Sequence, residues 1–134
     1  LPKRKPNISM ILKVDAGVVR MKTKQTLNKK KVDTLFRELI RSRDNLTCVN
    51  CKSTHLPQVA HIVSRSYYTT RWDLNNAVIL CMKCHMKFTH HPLEWEAWVI
   101  KRIGPTEYEA LKRKALSYEK IIYKDIIVRL NAHP

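Results

Sequence analysis

The sequence predicts a small α+β domain in which helices surround two short strands, on three observations. Hydrophobic residues recur at helical spacing in several segments, interrupted by two brief strand-like runs, Gln58–Val63 and Asn76–Leu80. Two Cys-x-x-Cys pairs, Cys48/Cys51 and Cys81/Cys84, stand next to these runs, and no cysteine is left over. Finally, 134 residues, 44% of them hydrophobic, suffice for one compact core but not for two.

The elements follow in order. Residues 1–31 read as a basic N-terminal arm, holding ten of the 26 Lys and Arg and a single acid, Asp15. Within it Ile8, Met10, Leu12 and Val14 alternate with other residues before Asp15-Ala16-Gly17 and Val18-Val19, a pattern that suits a short hairpin or an extended arm equally well. The remaining residues, 32–134, form one domain. Val32, Leu35, Phe36, Leu39 and Ile40 fall on one face of a helix over about 32–44. A polar loop, Ser64 to Asn75, joins the two strands. A helix runs from Cys84 to about Thr89 and is broken by His90-His91-Pro92; Pro92 suits the first turn of the next helix, stopped by Gly104-Pro105. Thr106-x-x-Glu109 is a capping-box pattern for a further helix, and Ser117 opens a last one with Ile122, Ile126 and Leu130 at i+4 steps. The helices over 92–131 thus form a C-terminal extension. Trp95 and Trp98 read as core, Tyr67 and Tyr68 as cover for the loop, and His55 and His133 as bystanders.

The charge points to a partner. With 26 Lys and Arg against 11 Asp and Glu, the chain carries +15 at neutral pH, which predicts binding to a polyanion, foremost nucleic acid. No membrane role is expected, because no apolar run approaches the ~20 residues that span a bilayer. The opening Leu1-Pro-Lys-Arg-Lys-Pro6 lacks the apolar segment of a secretion signal, so an intracellular, cytoplasmic location is expected. In such a compartment paired Cys-x-x-Cys knuckles indicate zinc rather than disulfides. Cys48, Cys51, Cys81 and Cys84 together complete a tetrahedral, closed and therefore structural site that clips a core of about residues 46–90. Cys81-Met-Lys-Cys-His85 also matches a c-type haem attachment pattern, but that reading leaves Cys48 and Cys51 idle, so no haem is expected.

The clipped stretch holds His61 on the first strand, Asn76 at the start of the second, and His85 directly after the second cysteine pair. At this spacing, with Asn76 five residues before Cys81, the segment resembles the HNH endonucleases in their zinc-knuckle variant. The resemblance implies a ββα-metal fold, two antiparallel strands and a helix around one catalytic divalent cation, magnesium or manganese. It further implies His61 as general base, Asn76 as a brace across the strands, and His85 as ligand of the catalytic cation. The segments His61–Arg65, Thr70–Asp73 and Arg102–Gly104 are similar, more loosely, to phage NinG-type recombination proteins, although that family carries Asn where this chain has His85. The implied substrate is DNA, branched or recombination DNA in particular, and the implied setting a bacterial or phage-infected cell.

The chain departs from the HNH pattern at Ala60, where most members place an acidic or imidazole metal ligand before the base. His90, His91 and Asp73 are candidates to replace it; alternatively His61 itself is the ligand. Arg65, Arg71, Lys83 and Lys87 are placed to contact phosphates. One site cuts one strand, so a monomer nicks and paired cuts require a dimer. A reading from another class, a non-catalytic zinc module that binds nucleic acid by charge, accounts for the cysteines and the basic balance equally; only the His61, Asn76 and His85 constellation separates the two.

Overall fold

The computed structural model describes residues 11–15, 18–22 and 24–133; residues 1–10 of the basic arm lie outside them. Strands β1 (Ile11–Asp15) and β2 (Val18–Lys22) pair antiparallel, so strand pairing is what this part of the arm adopts. Helix α1 spans Lys24–Arg43 and begins well before residue 32, taking in Lys29, Lys30 and Lys31 from the expected arm. Lys, Gln and Leu favour helix, but residues 24–31 are too polar to show an apolar stripe.

A second antiparallel pair, β3 (Pro57–His61) and β4 (Ala77–Cys81), sets Gln58 opposite Leu80 and His61 opposite Ala77. The connection between them is more ordered than a polar loop: it contains a helical turn, α2 (Tyr68–Arg71), and a 3₁₀ turn, Leu74–Asn76, whose cap is the Asp73 carboxylate accepting from the Asn75 N–H at 2.9 Å. Helix α3 (Met82–His90) leaves β4 with no intervening loop, because Cys81 is at once the last strand residue and the helix cap. Helices α4 (Pro92–Ile103), α5 (Pro105–Leu116) and α6 (Tyr123–Asn131) follow.

The starts of the last two helices differ from expectation. Helix α5 starts at Pro105, with Gly104 (φ 88°) turning the chain, so the Thr106 capping box is not used. Ser117 closes α5 instead of opening α6: its hydroxyl donates to the Lys114 carbonyl at 2.6 Å. At the start of α5 proline and glycine geometry outweighs a side-chain cap.

The β3–β4 pair lies between helices. Val32, Phe36 and Ile40 of α1 pack with Ile126 and Leu130 of α6 against Ala77, Ile79 and Trp72. Val78 and Leu80 point to the other face and meet Ala60, Cys84 and Phe88. All five residues of β4 are therefore buried, which explains a continuous apolar run in place of alternation. The outer edge of β4 is closed by α1 and the first knuckle, since Asp44 accepts from the Ile79 N–H at 2.9 Å and the Val49 N–H donates to the Ile79 carbonyl at 2.9 Å. Helices α4 and α5 add a smaller cluster, Ile62, Val99 and Leu111. Trp95 and Trp98 stack with ring centres 5.2 Å apart and lie against Phe88, so both serve as core. Between Asn45 and Leu56 four non-glycine residues, Asn45, Leu46, Lys52 and Leu56, take left-handed backbone with φ of 45–66°. Among the described residues no helix is long and apolar enough to cross a membrane.

One polar cluster fixes the β3–β4 connection to α1. The Asp33 carboxylate accepts from Nε and Nη2 of the Arg71 guanidinium, at 2.9 and 2.8 Å, and from the Trp72 indole N–H at 2.8 Å. Burial raises the Asp33 pKa, but the Arg71 and Trp72 hydrogen bonds and the Arg71 charge outweigh it, leaving the carboxyl below its ordinary value. A depressed carboxyl contributes stability above its unfolded pKa and loses it as pH falls through the folded one. Asp33→Ala, which strands the Arg71 guanidinium, is expected to destabilise the fold by about 3 kcal/mol. In urea titrations the gap between wild type and variant should be full at neutral pH and close below pH ~4; a gap that persists in acid would show that the pair is not its origin.

Candidate functional site

Two arrangements stand out: a sulfur cluster and a basic groove. The Sγ atoms of Cys48, Cys51, Cys81 and Cys84 all lie within 4.8 Å of one another, and Cys51 and Cys81 are 3.6 Å apart. A tetrahedral ion with sulfur at about 2.3 Å needs sulfurs about 3.8 Å apart, so this donor set fits a structural metal ion such as zinc. The local backbone supports thiolates. The Cys51 N–H points to Cys48 Sγ at 3.5 Å, the Cys84 N–H to Cys81 Sγ at 3.4 Å, and the positive end of α3 faces the second pair. The Asn50 amide donates to Cys84 Sγ at 3.4 Å while accepting from the Trp98 indole at 3.0 Å, which ties α4 to the cluster. Burial pushes the Cys48 thiol up, but backbone N–H groups of Cys51, Cys81 and Asn50 outweigh it and bring it to about 6. Burial and the neighbouring sulfurs push Cys84 up to about 12. Thiolates this close repel one another, a repulsion that a bound cation would relieve.

The groove has a volume of about 450 Å³ and is lined by His61 and Val59 of β3, Asp33, Phe36 and Arg37 of α1, Arg65 and Arg71 of the connection, and His85 of α3. The fold thus brings His61 and His85 to one depression. His61 stacks on Phe36 with ring centres 5.5 Å apart, and its Nε2–H donates to the Arg71 carbonyl at 2.9 Å. A carbonyl can only accept, so the proton sits on Nε2 and Nδ1 keeps its lone pair. Burial holds the His61 pKa below the ordinary imidazole value, aided by the Arg71 and Arg65 charges and opposed by the Arg71 carbonyl. The ring is therefore neutral at physiological pH. His85 is also lowered, by burial.

Asn76 is fully buried and braces this carbonyl. Its Oδ1 accepts from the Val63 N–H at 2.8 Å, and its Nδ2 donates to the carbonyls of Val63 and Thr70 at 3.1 and 3.0 Å. Thr70 directly precedes Arg71, so the amide fixes both ends of the loop that presents the His61 acceptor.

The basic residues divide. Arg65 is exposed on the rim of the groove. Arg71 departs from the expected phosphate contact: it is only 8% exposed, and its guanidinium is taken up by Asp33 and, at 2.9 Å, by the Arg65 carbonyl. Lys83 and Lys87, four apart on α3, share a face about 200° around the helix from His85 and do not line the groove; Lys87 faces Glu94 at 3.9 Å. Sequence reasoning missed Arg37, which lines the groove across from Arg65. The available signal was its i+4 spacing from Asp33. Ala60 faces a smaller cavity of about 100 Å³ shared with His61, His85, Leu80, Phe88, Thr89 and Trp95. None of the candidates Asp73, His90 and His91 lines either cavity: Asp73 pairs with Lys114 at 2.6 Å, and His90 and His91 are exposed at the end of α3. Among the described residues Asp33 is the one carboxylate lining the groove, and it is already engaged.

No family model matches the chain, and neither a curated protein nor a solved structure matches it.

Because the cluster bridges segments about thirty residues apart, Cys51→Ser should reduce the yield of folded protein before it alters any activity. Elemental analysis should return one zinc per wild-type chain, and prolonged chelation should lower the melting temperature. Folded, fully stable protein free of zinc would overturn the structural assignment.

Proposed function

We propose that the protein is a metal-dependent endonuclease of the HNH type, stapled by structural zinc, that hydrolyses DNA phosphodiester bonds with His61 as general base. The reading rests above all on the hydrogen bond from His61 Nε2–H to the Arg71 carbonyl, in a loop braced by Asn76. It leaves a neutral imidazole with a directed lone pair in a basic groove, which is what removal of a proton from water demands. Arg65 and Arg37 line the groove and carry the charge to receive phosphate oxygens. His85 offers a second imidazole in the same depression. With no free carboxylate there, His85 would be the one protein ligand of a cation in the groove, and water and substrate phosphate would have to supply its oxygen ligands. When bound, magnesium or manganese supplies Lewis-acid stabilisation of the phosphate and the leaving oxygen. The +15 charge favours binding of the long polyanion. The likeness to NinG-type proteins favours branched DNA, cut once per monomer.

Ala60 favours a second reading, a zinc-stapled nucleic-acid-binding module without catalysis, because the four cysteines are the only three-or-more ligand cluster among the described residues. Incubation of supercoiled plasmid with magnesium or manganese, against a chelator that spares the zinc, separates the two. Nicking is expected; binding without nicking in any metal supports the module.

His61→Ala should cut cleavage by roughly 10²–10⁴-fold with DNA affinity and zinc content unchanged. His85→Ala should be partly recovered by raising manganese. A base with a lowered pKa stays deprotonated further into acid, so the acid limb of the wild-type profile should lie below the ordinary imidazole range. His61→Ala that nicks as fast as wild type removes His61 from this role, and a His61→Ala defect recovered by manganese makes it a ligand.

A further inference from the structure

Nothing so far assigns a part to Gln58. It sits on β3, three residues before His61, and its Oε1 lies 2.7 Å from His85 Nδ1. An amide oxygen only accepts, so the proton of this hydrogen bond belongs to His85 Nδ1 and the lone pair to Nε2. His61 is held the other way round, with Nε2–H on the Arg71 carbonyl and Nδ1 free. Two imidazoles lining one groove are thus fixed in opposite tautomers, each by an acceptor on the β3–β4 hairpin and its connection.

Strand register makes this possible. Gln58 pairs with Leu80, β4 ends at Cys81, and α3 begins at once, so His85 arrives in the first turns of the helix beside Gln58. A slip of one residue would turn Gln58 to the opposite face of the strand. Gln58 and Ala60 share a face of β3, so the residue that engages His85 lies one strand repeat away from the alanine that stands where an acidic ligand was expected.

We infer that Gln58 is a positioning residue: by accepting from Nδ1 it commits His85 to present Nε2 to a divalent cation in the groove. The inference rests on the nuclease reading for the purpose of that cation, but not for the tautomer. An imidazole ligand whose other nitrogen donates to a fixed acceptor is oriented and made more basic, and loss of such an acceptor typically weakens metal binding 10–100-fold. The same fold-change is expected here.

The test uses full-length, zinc-loaded protein with ¹⁵N-labelled histidine, at a pH where both rings are neutral. Long-range proton–nitrogen correlation reads each tautomer directly. Wild type should show His85 protonated on Nδ1 and His61 on Nε2. Gln58→Leu, similar in size but without an acceptor, should release His85 to the Nε2–H form and leave His61 unchanged. Gln58→Glu, which can only accept, should keep wild-type His85. Manganese is then titrated in the absence of DNA. The concentration that half-broadens the His85 ring signals should rise 10–100-fold in Gln58→Leu and stay at or below the wild-type value in Gln58→Glu. Where the wild type nicks plasmid, the manganese requirement should shift by the same factor, with the rate at saturating metal near wild type. His85 in the Nε2–H form in wild type, one tautomer in all three proteins, or no broadening of His85 by millimolar manganese would overturn the inference. Failure of wild type to cleave DNA in any metal counts against the nuclease reading alone, because the nitrogen spectra and the titration need no substrate. Melting temperatures of the variants within a few degrees of wild type exclude misfolding as the cause.

Discussion

A single carboxylate on the first long helix decides where the groove forms. Asp33 gathers the Arg71 guanidinium and the Trp72 indole, and so pins the middle of the β3–β4 connection against α1. The backbone of the same Arg71 supplies the acceptor for His61, so an ion pair at one end of the residue sets a proton position at the other. Coulomb attraction alone rarely justifies burying two charges. Here the planar fork of the guanidinium gives the pair direction, and its third contact, to the Arg65 carbonyl, uses the donor that Asp33 leaves free. Asn76 completes the frame from the sheet side.

Much of this was legible in the sequence because it is local. Cysteines three apart announce a knuckle whatever follows, and Pro92 and Gly104-Pro105 mark their helix ends through backbone restrictions that tertiary contacts do not override. His61, Asn76 and His85 were visible as a constellation because a two-stranded unit with a short excursion keeps them at fixed spacing. What escaped notice depends on long-range pairing. Arg71 reads as a free basic residue until Asp33, 38 positions away, is known to face it. Gln58 reads as an ordinary polar strand residue until β4 and α3 return His85 to its side, 27 positions on. Arg37 belonged to the polar face of a helix, and which part of that face meets the groove is set by how α1 crosses the sheet. The early start of α1 was missed because its first turns have too little apolar periodicity to register, whereas Ile122, four residues before Ile126, drew the expected start of α6 too early.

The metal cluster and the groove share the β3–β4–α3 unit but use different sides of it. Cys81 and Cys84 anchor the start of α3, and His85 follows immediately, so a metal ion held by the four cysteines would also set the position of the imidazole. On the far side Trp98, through Asn50, joins the C-terminal helices to the same sulfurs. The helical extension is thereby connected to the cluster through hydrogen bonds as well as through apolar packing around Phe88.

The left-handed residues Asn45, Leu46, Lys52 and Leu56 give the first knuckle a particular character. Each non-glycine residue held in this region costs about 1–2 kcal/mol, and the chain has only two glycines to relieve such positions elsewhere. Backbone strain is therefore concentrated in a dozen residues between α1 and β3, the segment that carries Cys48 and Cys51 to the cluster. A metal ion held by the four cysteines would act as the latch on this strained segment. Without that latch the segment would be free to relax, and the closed edge of β4, to which Val49 and Asp44 are hydrogen-bonded at Ile79, is what it adjoins.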